Sequence, residues 1–186
     1  MIYHFSWLTL KFTMLGVGLL LIAAHGLAFI KGKAAQDWLR AFPRNREAGA
    51  TLAIVAGAWF FLLVKMMDLG DFDSWRTLVL IGTPIATVLA TFFMSEFLAA
   101  RALGTLALLA AEPLLESAFL REESIRLLLV TLVYVWIVLG MFWVGMPYTL
   151  RDQINWICAS EKRWRAAAFA GLAYGAFLCV GGLLVR

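Results

Sequence analysis

Charged residues are scarce in this chain. They make up 15% of its 186 residues, whereas soluble domains contain about 25%. Hydrophobic residues make up 63%, and a chain of this size cannot bury several long apolar runs in a soluble core. This composition excludes an ordinary soluble domain. It indicates an all-α integral membrane protein whose single helical domain covers residues 1–186.

Cysteine and histidine are also rare, with two of each. Cys158 and Cys179 lie 21 positions apart, without a CxxC pair or a metal-ligand spacing, which excludes a disulfide framework and a zinc ribbon. The sequence also lacks the HExxH, GxSxG, CxxCH and P-loop motifs. No catalytic residue is indicated, and the sequence favours a protein that is not an enzyme.

The chain carries a net charge of +4, but its basic residues do not form a nucleic-acid site. They lie at the ends of apolar runs rather than in one stripe, so we expect no nucleic-acid partner. Lys and Arg at such positions typically mark cytoplasmic loops that meet anionic lipid headgroups. The lipid bilayer is therefore the first expected partner.

Six apolar runs are long enough to cross a bilayer as helices, since a crossing needs about 20 residues. The first run is long for the core of a signal peptide, so we expect it to be retained as a crossing. The predicted crossings are 12–30, 48–67, 76–94, 97–115, 127–146 and 166–185.

The third and fourth runs decide the topology. With six crossings, the segments 31–47, 95–101 and 147–165 share one side and hold ten of the sixteen Lys and Arg residues. With five crossings, loops 31–47 and 147–165 would face opposite compartments, against the positive-inside rule. We therefore predict a bundle of six transmembrane helices in a bacterial-type inner or plasma membrane, with loops 31–47 and 147–165 cytoplasmic. The alternative is five crossings plus an interfacial helix over 103–120.

Small residues at four-residue spacing predict where the helices pack. Lipid tails give helices no hydrophobic reason to associate, so small side chains that permit close backbone approach matter more. Three runs carry such a seam. The predicted packing residues are Gly49, Ala53 and Gly57, then Gly82, Ala86 and Ala90, and finally Ala167, Gly171 and Gly175.

His25 is a candidate cofactor or proton site, because ionisable groups inside a membrane helix are commonly functional. A haem held by two histidines needs a second imidazole at a similar depth. The other histidine, His4, would lie about 31 Å away along a continuous helix. We therefore expect no cofactor, and haem at His25 is the alternative.

Between Thr77 and Leu120, four ionisable residues are candidates for a polar pathway: Glu96, Arg101, Glu112 and Glu116. Glu112 and Glu116 share a helix face, where two carboxylates can bind a cation or share a proton. Glu96 and Arg101 flank the predicted turn and could form a gate. In the ordinary interpretation, Arg101 extends its side chain to the membrane surface and Glu96 lies in the loop.

These features predict a small accessory or assembly subunit of a larger membrane complex. Short loops, small-residue seams and the lack of a convincing polar site favour partners that are other membrane subunits or further copies of the chain. The alternative is a small transporter or proton and cation pathway through the carboxylates. A third class is an electron carrier with haem at His25.

Overall fold

Eight α-helices make up most of the structure. The computed structural model describes residues 9–94 and 96–185, and no strand occurs in these two ranges. Six helical segments are long and apolar enough to cross a membrane, in agreement with the six apolar runs. The helices are α1 (Leu10–Lys31), α2 (Lys33–Ala41), α3 (Arg46–Met66), α4 (Arg76–Phe93), α5 (Leu98–Ala118), α6 (Arg126–Gly145), α7 (Tyr148–Cys158) and α8 (Glu161–Leu184).

The long helices pack mainly in pairs. Helices α1 and α8 run antiparallel, as do α5 and α6. Helix α3 packs parallel to α5 and antiparallel to α4, so α4 is joined to the bundle chiefly through α3. A shared apolar core connects α1, α5, α6 and α8. Its fully buried side chains include Leu10, Met14, Leu129, Val133 and Leu178.

Helix α5 has buried residues near both of its ends. Its buried residues extend from Leu98, its first residue, to Ala118, its last. One continuous helix therefore covers most of 103–120, the segment that the alternative prediction assigns to an interfacial helix. Small residues bring α5 close to its neighbours, because Ala99 lies against α3 and Gly104 lies against α6 at close range.

The two short helices, α2 and α7, bring the two basic loops together. The guanidinium of Arg40 in α2 donates a hydrogen bond of 2.7 Å to the carbonyl oxygen of Cys158 at the end of α7. The amide of Gln36 donates one of 3.3 Å to the Glu161 carboxylate. Segments 31–47 and 147–165 thus lie at the same end of the bundle, which we call the basic end.

A tight connection between α4 and α5 reaches the basic end as well. Phe97 precedes α5 and has a left-handed backbone, with φ of 57°, which is uncommon for a bulky residue. The Arg151 guanidinium of α7 lies over the Phe97 ring, 5.8 Å from its centroid. This contact connects the short turn to the surface helix beside it.

Arginines satisfy carbonyl groups at the ends of neighbouring helices. The last carbonyl groups of a helix have no partner within it, and a guanidinium can supply several donors. Arg126 donates a hydrogen bond of 3.1 Å to the Ala118 carbonyl oxygen at the end of α5. Arg76 binds the Val64 and Lys65 carbonyl oxygens at the end of α3.

Candidate functional site

A cleft opens at the bend between α1 and α2. The bend is made at Gly32, whose φ of +46° favours glycine. Beneath the bend, α1, α2, the end of α7 and the start of α8 enclose a volume of about 680 Å³. We call it the elbow cleft. Its lining is mostly alanine, leucine and tryptophan, with His25 and Lys31 as its only basic side chains.

His25 forms part of the cleft wall. Its Nδ1 lies 2.9 Å from the Leu21 carbonyl oxygen, which can only accept, so Nδ1 is the donor of this hydrogen bond. The ring lies against Gly171 of α8, where an added Cβ would overlap it. Gly171, a predicted packing residue, therefore provides the space that His25 occupies between α1 and α8.

His25 supplies one imidazole at this cleft for the haem of the alternative prediction. A backbone bond from Nδ1 that leaves Nε2 available is the usual arrangement for a histidine that binds a metal. However, the cleft lining contains no second histidine, methionine or cysteine as a further axial ligand. His4 lies outside the described residues. No group of three or more His, Cys, Asp or Glu side chains is placed to hold a metal ion in the described ranges.

Trp164 lies at the floor of the elbow cleft and was not among the sequence candidates. Its side chain is 6% exposed, and its indole N–H is buried without a hydrogen-bond partner. Buried N–H groups normally have a partner, so this one is exceptional. In the sequence, a tryptophan within a basic segment indicates only an anchor at the membrane surface.

Arg101 and Glu96 lie beside different groups in this structure. The Arg101 Nη1 donates a hydrogen bond of 3.1 Å to the Val144 carbonyl oxygen near the end of α6, while the Arg101 Nε is buried without a partner. Glu96 is exposed and lines a separate small cleft with Arg44 and Arg46. Arg101 thus connects α5 to α6, and Glu96 faces the basic surface.

Glu112 and Glu116 lie in the other half of α5. Eleven residues separate Arg101 from Glu112, which is about 16 Å along the helix. Glu112 is exposed and Glu116 is partly buried. The four candidates of the polar pathway are therefore spread along α5 and the turn before it rather than brought to one site.

The interior between these groups is apolar. In the part of the chain that the structure describes, no Asp, Glu, Lys, Arg or His side chain is fully buried. Two of the buried polar side chains form hydrogen bonds within their own helix region: Thr13 donates to the Thr9 carbonyl oxygen and Ser117 to that of Leu114. The described interior offers no chain of polar groups from one end of the bundle to the other.

Two of the small-residue seams contain close helix contacts. A Cβ at Gly49 of α3 would come within 2.8 Å of the Ala99 backbone nitrogen of α5. A Cβ at Gly175 of α8 would come within 2.8 Å of the Gly18 carbonyl oxygen of α1. The other members of these seams are partly buried: Ala53, Gly57, Ala167 and Gly171.

The small-residue seam of α4 faces mainly away from the other helices. Helix α4 meets α3 through Thr87, whose side chain an added Cβ at Gly57 would overlap. Gly82 and Ala86 are exposed, Ala90 is partly buried, and a Cβ at Gly82 would meet nothing within 4 Å. Gly82 and Ala86 therefore face away from the described bundle.

Close helix contacts also involve glycines that the seam pattern did not include. A Cβ at Gly104 of α5 would lie 2.8 Å from the Gly140 carbonyl oxygen of α6. Gly18, opposite Gly175, is another case. Gly18 and Gly140 have no small residue four positions away in the sequence, so no spacing signal marks them.

Burial raises the pKa of the Cys158 thiol, although the nearby Arg40 guanidinium acts in the opposite direction. Because the thiolate is the reactive form, we expect a water-soluble maleimide to label Cys158 slowly at neutral pH in the folded protein. The rate should rise with pH as the thiol ionises. Mass spectrometry of a Cys179→Ala variant checks this, and a folded rate equal to the denatured rate would contradict it.

Comparisons with known proteins identify no relative: no family model, no curated protein and no solved structure matches the chain. The class that the fold defines is an all-helical bundle with six segments of membrane-spanning length and apolarity. Function therefore has to follow from the contacts of this chain's own residues.

Proposed function

We propose that this chain is an accessory subunit of a membrane complex that crosses the bilayer six times and docks another membrane polypeptide through α4. The observation that carries the proposal is the outward-facing seam of α4. No residue of α4 is buried, although every other segment of membrane-spanning length has buried residues.

The exposed face of α4 has small residues that permit the close approach of another helix. In a bilayer, helices associate through small residues that bring their backbones together and increase van der Waals contact. Gly82 and Ala86 lie one turn apart with open space above Gly82, and large apolar side chains lie beside them. These flanking exposed residues are Leu78, Ile85, Leu89 and Phe93. A single transmembrane helix of the partner is the occupant that this surface fits.

The basic end supports an orientation. Ten of the sixteen Lys and Arg residues belong to segments that meet at this end. By the positive-inside rule, such an excess favours the cytoplasmic side of a bacterial-type inner membrane. We therefore propose that loops 31–47 and 147–165 are cytoplasmic and that the aspartate-rich connector between α3 and α4 lies opposite.

Transport is less well supported. A cation or proton pathway requires polar groups that succeed one another through the bundle. Arg101 contacts a backbone carbonyl at the basic end, and Glu112 and Glu116 lie in the other half of α5. The apolar interior between them favours the structural role.

Photocrosslinking from α4 tests the docking surface. We expect benzoylphenylalanine in place of Ile85 to give one discrete protein adduct in native membranes, because Ile85 lies beside the Gly82 seam. The same probe in place of Leu19, an exposed residue of α1, should give no discrete protein adduct. Gel electrophoresis and mass spectrometry of the purified adduct are the measurements.

Variants of the seam provide the control. Gly82→Ile should abolish the adduct because its side chain holds the partner backbone away, whereas Gly16→Ile should preserve it. Gly16 also has nothing within 4 Å of an added Cβ. An adduct that survives Gly82→Ile would contradict docking at the seam. An adduct between two differently tagged copies of this chain would contradict a partner of different sequence.

A further inference from the structure

We propose that the elbow cleft binds one acyl chain of an anionic membrane phospholipid, with the lipid headgroup at Lys31. This inference rests on the membrane location proposed above, but not on docking through α4. The two sites are on different helices, so each can fail without the other.

The size and opening of the cleft suit an acyl chain. Its volume of about 680 Å³ lies within the range of about 300–1,000 Å³ that is usual for ligand sites. Ala24, Ala28 and Ala35 leave the space that larger side chains would fill. Leu27 is 55% exposed and Trp38 is 62% exposed, so the cleft is open at the side. A lipid chain can therefore enter laterally from the bilayer.

The charge at the cleft selects the headgroup. Lys31 is exposed and is the only Lys, Arg, Asp or Glu side chain in the lining. None of the described ion pairs involves it. It ends α1 at the basic end, where the surrounding positive charge favours an anionic headgroup over a zwitterionic one. A phosphate with a net negative charge is the group that this arrangement recognises.

The floor of the cleft contains a polar group that the protein leaves without a partner. The Trp164 indole N–H has no acceptor, and Trp164 lies near the start of α8, at the same end as Lys31. Phospholipids carry ester carbonyl oxygens between headgroup and chain, and these oxygens accept hydrogen bonds. A lipid bound with its headgroup at Lys31 therefore places these acceptors at the end of the cleft where Trp164 lies.

Native mass spectrometry of the purified full chain tests the proposal. The probes are phosphatidylglycerol and phosphatidylcholine with identical acyl chains, added to protein that has been stripped of lipid in detergent. We expect one phosphatidylglycerol to bind about fivefold more tightly than phosphatidylcholine, which corresponds to about 1 kcal/mol for a basic side chain near a headgroup.

Two pairs of variants distinguish lipid binding in the cleft from lipid binding elsewhere on the protein. Lys31→Gln should remove the preference for phosphatidylglycerol, while Lys33→Gln should keep it, because Lys33 is exposed but does not line the cleft. Ala24→Leu should reduce binding of both lipids by filling the cleft. Ala23→Leu, at the neighbouring exposed position outside the lining, should bind as the parent does.

The outcomes distinguish this proposal from the proposed function. Equal loss of preference in the Lys31→Gln and Lys33→Gln variants would overturn a headgroup site at Lys31. Equal lipid binding by the Ala24→Leu and Ala23→Leu variants would overturn chain binding in the cleft. Neither result affects the α4 adduct, whereas an adduct that survives Gly82→Ile would contradict docking through α4 and leave the lipid preference unchanged.

Discussion

Replacing Gly18 by leucine is expected to separate α1 from α8 and to destabilise the whole bundle. A Cβ at this position would already lie 2.6 Å from the Cys179 sulfur and 2.8 Å from the Gly175 carbonyl oxygen. The Gly175 backbone cannot move aside without moving α8. Overpacking of this kind costs about 1–3 kcal/mol, or more where backbone blocks the side chain. We expect the melting temperature in detergent to fall by about 5–10 °C, since each kcal/mol corresponds to roughly 2–4 °C in a chain of this size.

Gly16 offers a matched control on the same helix. Gly16→Leu introduces the same side chain two residues away, where nothing lies within 4 Å of an added Cβ. Leucine is also the better helix former by up to about 1 kcal/mol, so this variant should be as stable as the parent or more stable. Thermal unfolding followed by size-exclusion chromatography measures both variants. Equal melting temperatures for the two would contradict the close pairing of α1 and α8.

The second large effect concerns which residues face the same compartment. We expect cysteines introduced by Arg44→Cys and Arg163→Cys to be labelled by a membrane-impermeant maleimide only from the cytoplasmic side. Asp71→Cys and Glu122→Cys should be labelled only from the opposite side. All four positions are exposed, so the difference should be all or none. The physical reason is the contact of α2 with α7, which holds both basic loops at one end.

The experiment uses intact cells and inverted membrane vesicles, with Cys158→Ala and Cys179→Ala in the background. Its outcomes separate two statements. Labelling of Arg44→Cys and Arg163→Cys from opposite sides would contradict six crossings. Labelling of both from outside would leave six crossings intact and would contradict only the proposed cytoplasmic orientation.

The long helices and the surface helices show which features residue patterns predict and which they do not. The pattern predicts the six apolar helices, because each run is long and predominantly apolar. The basic loops could be assigned to one side by counting Lys and Arg residues. No pattern predicts that Arg40 binds the Cys158 carbonyl oxygen, since the two residues are 118 positions apart and the acceptor is backbone.

In the candidate site, the sequence likewise predicts some features and only the structure shows the others. His25 is visible in the sequence because a histidine inside an apolar run is unusual. The elbow cleft around it is not visible, since four helices enclose it and its bend depends on Gly32. Trp164 resembles any tryptophan near a membrane surface until the structure places its N–H inside without a partner.

The sequence by itself determined the helical class and the number of long apolar segments, because both depend on composition over about 20 neighbouring residues. Only the tertiary structure decided which small residues serve packing. Gly18 and Gly140 lie at close helix contacts without any spacing signal, whereas Gly82 and Ala86 carry the signal and face outward. The reason is physical: a glycine permits close approach on any face of a helix, and the neighbours that surround it determine which face is used.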